Sequence, residues 1–115
     1  MEGALIIFFL THLFLIAVAF PLYRNKIKLN SWYGIRTKAT MTNEDVWYKV
    51  NEKGAKEMIQ LGAGLSVCCI VQYFTEALNP QVFFISNTLV LLVVVIIIAV
   101  KADNYAKRLL KELAE

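Results

Sequence analysis

Charged and apolar positions alternate along this chain in long blocks. Gly3 to Tyr23 contains no charged residue, Leu78 to Val100 likewise contains none, and Met58 to Thr75 forms a third uncharged run between Glu57 and Glu76. A hydrocarbon core about 30 Å thick takes about 20 apolar residues of helix, with a working range of about 17–25. The pattern therefore predicts an all-α membrane protein with three transmembrane helices, over about 3–23, 58–78 and 80–100, in one membrane domain covering 1–115.

Composition agrees with this reading: the chain is 58% apolar with a mean hydropathy of +0.56, above the roughly 45–50% of soluble domains. The first run does not read as a cleavable signal, because Glu2 precedes it and Arg24, Lys26 and Lys28 follow it. Of the 12 Lys and Arg residues, eight lie between Arg24 and Lys56 and the other four between Lys101 and Lys111. Three spans put both groups on one side, which the positive-inside rule makes cytoplasmic, with the N-terminus outside. The net charge of +3 is thereby explained by topology and inner-leaflet lipid, and does not point to nucleic acid. Cys68 and Cys69 are adjacent and read as small packing residues rather than a disulfide or metal pair.

The connection between the first two runs is rich in Trp, Tyr, Arg and Lys and is expected to lie along the inner membrane surface. Asn30 to Thr37 reads as a loop turning at Gly34. Thr42 and Asp45 have capping-box spacing, and Val46, Trp47, Val50, Gly54 and Met58 recur at helical spacing, which predicts a helix running directly into the second span. An interfacial belt accounts for the aromatics. Arg36, Thr37 and Asn51 fit better with a structured loop folded over the helix ends. Beyond the third run, Ala102, Ala106, Leu109, Leu110 and Leu113 share one face of a basic amphipathic tail, expected at the inner surface.

Polar groups inside a bilayer are costly and mark the candidate sites. At 1.5 Å per residue, His12, Gln72 and Asn87 lie about 13, 9 and 10 Å from the outer ends of their spans, so they are expected to form one intramembrane polar layer. That layer serves either an outward-opening pocket or interhelical hydrogen bonds. Gly62 and Ser66 make a small-xxx-small pair for close helix packing, with the partner helix left open. No nucleophile, base and carboxylate fall at one depth, and no His, Cys, Asp or Glu set has metal-ligand spacing, so the chain reads as non-enzymatic, with no cofactor and no metal.

One stretch carries a resemblance. Pro21-Leu22-Tyr23, then Asn30, Trp32-Tyr33-Gly34-Ile35-Arg36-Thr37, Thr40, Glu44, Trp47 and Asn51 resemble the signature of the SdpI family of small bacterial membrane proteins, named for an immunity protein against a secreted killing peptide. The resemblance implies a multi-pass protein of the bacterial plasma membrane. For the named member, a longer protein with additional N-terminal spans, it implies protection against a toxin peptide and sequestration of a cytoplasmic repressor. This chain reads as a short form. The leading expectation is therefore a non-enzymatic immunity-like protein whose partners are the lipid bilayer and a secreted toxin peptide. In that expectation the bundle meets the peptide and the 30–51 module locks the helix ends or holds a partner, with Arg36, Trp47 and Asn51 as the residues to carry it. The alternatives are a signalling or scaffold protein whose inner loop recruits a cytoplasmic partner, and a homo-oligomeric small-molecule or lipid transporter assembled through Gly62 and Ser66.

Overall fold

The computed structural model describes residues 2–76 and 78–115 and contains three helices: α1 (Glu2–Tyr23), α2 (Glu44–Thr75) and α3 (Pro80–Ala114). No strand occurs among the described residues, and all three helices are long and apolar enough to cross a membrane. Ala77, inside the second run expected to span, lies outside the described residues.

Each helix end has a local cause. Phe8, His12, Ala19 and Leu22 are the buried residues of α1, and most of its other residues stay available to lipid. Pro21 sits in the last turn, where few further bonds need it, and the stop is a Schellman turn. Asn25 takes positive φ (57°), its N–H bonds the Leu22 carbonyl at 3.2 Å, and Lys26 N–H bonds the Pro21 carbonyl at 2.9 Å.

At the start of α2 the expected capping box is corrected. Asn43, not Thr42, is the N-cap: its Oδ1 accepts from the N–H groups of Asp45 at 2.9 Å and Val46 at 3.2 Å. The Thr42 hydroxyl instead donates to the Lys38 carbonyl at 2.7 Å, and a short side-chain amide is as good a cap as a hydroxyl. Thr75 ends α2 three residues before the expected boundary, with Glu76 left-handed at φ 51°. Asn79 then caps α3, accepting from Val82 N–H at 2.9 Å, with Pro80 in the first turn.

The central helix is α2, packed against both others, while α1 and α3 barely touch. Phe8, Cys69 and Phe83 join all three helices at one level. Gly62 brings α1 close, since a Cβ there would lie 3.0 Å from Ile16 Cγ1 and 3.6 Å from the His12 carbonyl oxygen. The Gly62/Ser66 pair thus packs α1 onto α2 within one chain and is not a free face for a second copy.

Two placements differ from expectation. The 44–57 segment does not lie flat on the membrane, because it is the unbroken lower half of the 32-residue α2. The tail does not lie flat either: Ala102 and Ala106 of α3 pack against Val46 and Val50 of α2 and Ala39 of the connection. Two apolar stripes that meet each other need no lipid surface to cover them. The molecule is accordingly 54 Å long, against a hydrocarbon thickness of about 30 Å, and it projects past the bilayer at the end where the basic residues gather.

Candidate functional site

The 24–43 connection wraps the lower half of α2 as a clasp, running from the end of α1 to the flank of α3. It begins with Asn30, whose Oδ1 accepts from Trp32 N–H at 2.9 Å and Tyr33 N–H at 2.6 Å while Nδ2 donates to the Lys28 carbonyl at 2.7 Å and the Tyr33 carbonyl at 3.1 Å. One amide thereby closes two turns. The Tyr33 hydroxyl donates to the Val18 carbonyl of α1. Val18 lies about 7.5 Å before the end of that helix, so the clasp grips α1 at interfacial depth.

The centre of the clasp is Asn51, buried on α2. Its Oδ1 accepts from Ile35 N–H at 2.6 Å, and its Nδ2 donates to the Trp47 carbonyl at 3.0 Å and the Ile35 carbonyl at 3.4 Å. Gly34 passes over this amide with φ 113°, and a Cβ there would stand 2.9 Å from Asn51 Oδ1 and 3.0 Å from the Trp47 ring. Trp47 is fully buried and donates its Nε1–H to the Ile27 carbonyl at 3.0 Å. Ile35 fills the space over Gly54, where a Cβ would collide with its Cδ1.

Toward α3, Thr37 and Thr40 bond reciprocally. Thr40 Oγ1 accepts from Thr37 N–H at 2.7 Å and lies 2.9 Å from the Ile35 carbonyl oxygen, to which it donates, and Thr37 Oγ1 accepts from Thr40 N–H at 3.2 Å. Lys107, together with the Thr37 side chain, holds the Asp103 carboxyl below the usual carboxylate range, with the Lys107 ammonium 2.9 Å away.

The signature residues therefore divide in two. Asn30, Tyr33, Gly34, Thr37, Thr40, Trp47 and Asn51 are consumed inside the clasp. Trp32, 76% exposed, and Arg36 and Glu44, both exposed, are presented. Arg36 donates to the Ser31 carbonyl, which leaves most of its five N–H groups free for something outside the chain.

The polar layer separates into two sets. Asn87 Nδ2 donates to Gln72 Oε1 at 2.9 Å and to the Phe83 carbonyl at 2.8 Å, and Cys69 Sγ donates to Asn87 Oδ1 at 3.1 Å. His12 does not join them, because its helix packs on the other flank of α2. Its Nδ1 lies 3.3 Å from Ser66 Oγ, which lies 2.9 Å from the Gly62 carbonyl oxygen. A hydroxyl has one proton, so Ser66 donates to only one of the two, and the His12 tautomer follows from which. No buried side-chain polar atom among the described residues lacks a partner, and the bonds of His12, Gln72 and Asn87 run between helices and within turns. The hollow at that end is lined by other residues: Glu2, Gly3, Tyr73, Phe74, Glu76 and Leu78, about 760 Å³ in all.

Sequence reasoning missed Ile27, whose carbonyl acts and leaves no side-chain signal, and Asp103, hidden among tail charges; it named Ile35 within the signature without assigning its backbone the role of Asn51's partner. Cys69 had a signal: it stands three residues from Gln72, on the same helical face.

The fold and clasp define a class, a three-helix membrane protein whose first loop folds over the end of the central helix. The model described as the SdpI/YfhL protein family matches residues 26–101, and the chain belongs to that family. It is a multi-pass membrane protein of the SdpI/YfhL type. Comparison with curated proteins and with solved structures gives no match.

Proposed function

We propose that this chain is a non-enzymatic protein of the bacterial plasma membrane that protects the cell against a secreted killing peptide. The observation carrying the proposal is the family match over residues 26–101. In this reading the basic end is cytoplasmic and the N-terminus outside. The outer end then carries the hollow lined by Glu2, Tyr73, Phe74 and Glu76. Two carboxylates beside an exposed aromatic ring suit a cationic amphipathic peptide.

The test is survival and membrane potential of peptide-sensitive bacterial cells expressing the chain at matched membrane abundance. Wild-type chain is expected to preserve both, and Glu2→Gln/Glu76→Gln to weaken protection. No protection by wild type overturns immunity to that peptide.

A second reading, recruitment of a cytoplasmic regulator, is favoured by the presented Trp32 and Arg36. Loss of function in Trp32→Ala/Arg36→Ala, with the carboxylate variant intact, would decide for it.

A further inference from the structure

Between the clasp and α3 runs an open groove of about 490 Å³, lined by Thr37, Lys38, Ala39, Ala99, Val100, Asp103 and Lys107. Its composition changes along its length. Ala99 and Val100 are exposed and close the apolar run of α3, so this end stands at the edge of the hydrocarbon. Thr37, Lys38, Asp103 and Lys107 form the other end.

The depth of the charges follows from the ion pair. Lys107 is about 10 Å past Val100 by helical rise, but its ammonium lies 2.9 Å from Asp103 one turn back. That is about 4.5 Å beyond Val100, inside a headgroup layer roughly 5–7 Å deep on each side. The charge is also asymmetric. Asp103 is already met by Lys107 at 2.9 Å, Lys101 is met by Glu57 at 3.4 Å, and exposed Lys38 forms no ion pair among the described residues. The groove therefore sets one uncompensated cation, Lys38, beside an ion pair at phosphate depth and above an apolar floor at acyl-chain depth. A phospholipid reaches both levels at once, and its phosphate matches the free cation.

We propose that this groove is a binding site for one anionic phospholipid of the leaflet at the basic end. An acyl chain lies along Ala99 and Val100, and the phosphate sits between Lys38 and Lys107. The site ties the clasp to α3 through the lipid and rests on neither functional reading above.

The experiment is native mass spectrometry of the purified, delipidated chain in mild detergent, titrated separately with phosphatidylglycerol, phosphatidylcholine and inorganic phosphate. Wild type is expected to retain phosphatidylglycerol about fivefold better than phosphatidylcholine, the value of one uncompensated lysine at the surface. Lys38→Gln/Lys107→Gln brings the ratio near one. Lys49→Gln/Lys111→Gln, which removes the same charge away from the groove, leaves the preference in place. Equal retention of the two lipids by wild type overturns the site. So does a preference that survives Lys38→Gln/Lys107→Gln, or one lost equally in both double variants. Inorganic phosphate bound as tightly as the lipid, through the same lysines, overturns the lipid as occupant.

Discussion

The side-chain amide of Asn51 spans both sides of Ile35, accepting from its N–H at 2.6 Å and donating toward its carbonyl at 3.4 Å. A loop residue is thereby held to a helix sixteen positions away by a group imitating a neighbouring strand. Asn51→Ala strands the half-buried Ile35 N–H and is expected to cost about 1–3 kcal/mol. Asn51→Asp, which sets a buried carboxylate oxygen against the Trp47 and Ile35 carbonyls, should cost at least as much. Unfolding in mixed detergent micelles, read by circular dichroism, measures both.

Gly34 and Gly64 should respond oppositely to the same substitution. Gly34→Ala forces a side chain into φ 113° and against Asn51 and Trp47, a loss of about 2 kcal/mol or more. A Cβ at Gly64 meets nothing within 4 Å, so Gly64→Ala should be neutral or stabilising by up to about 1 kcal/mol. The same micelle unfolding assay separates them.

The presented and consumed residues of the signature are distinguishable by stability alone. Trp32→Ala and Arg36→Ala should stay within about 0.5 kcal/mol of wild type, as exposed changes do. Trp47→Phe deletes the bond to the Ile27 carbonyl and should cost about 1–2 kcal/mol. Equal losses in all three would contradict the division.

Within the bilayer, Asn87 and Gln72 should couple. A double-mutant cycle with Asn87→Ala and Gln72→Ala is expected to return an interaction of about 0.6–1.7 kcal/mol. The pair Asn87 and His12, which share no bond, should be additive.

Asp103 gives the foot of α3, where the clasp ends, an acid limit. Its carboxyl is held below the usual value by Lys107 and Thr37, so this contribution is complete above that usual value, about pH 4. It is lost as pH falls through the lower native value. Proteolysis at the Thr37 to Thr42 turn, followed in micelles from pH 6 to pH 2 with an acid-stable protease, should accelerate below about pH 4 in wild type. Asp103→Asn should show the faster rate at every pH.

Much of this molecule was legible in one dimension. Three uncharged runs declare three helices because hydrocarbon leaves no other use for them. The continuity of the 44–57 helix with the second span followed from period alone, and Gly34 announced a turn. What the chain could not declare was which stripe meets which. The apolar faces of 46–50 and of 102–106 each look like a face for the membrane surface until both are seen to stand at the same height on adjacent helices. The same holds for His12, whose depth is a local property while its neighbour is not. Rise per residue placed it level with Asn87, but only packing put it beside Ser66. The sequence by itself determined the class, the spans and the loop chemistry, since solvent transfer and backbone propensity act residue by residue. The tertiary structure alone decided that the loop is a clasp, that Asn51 holds Ile35, and that Trp32 and Arg36 are presented, because those facts depend on distances between segments that no local rule constrains.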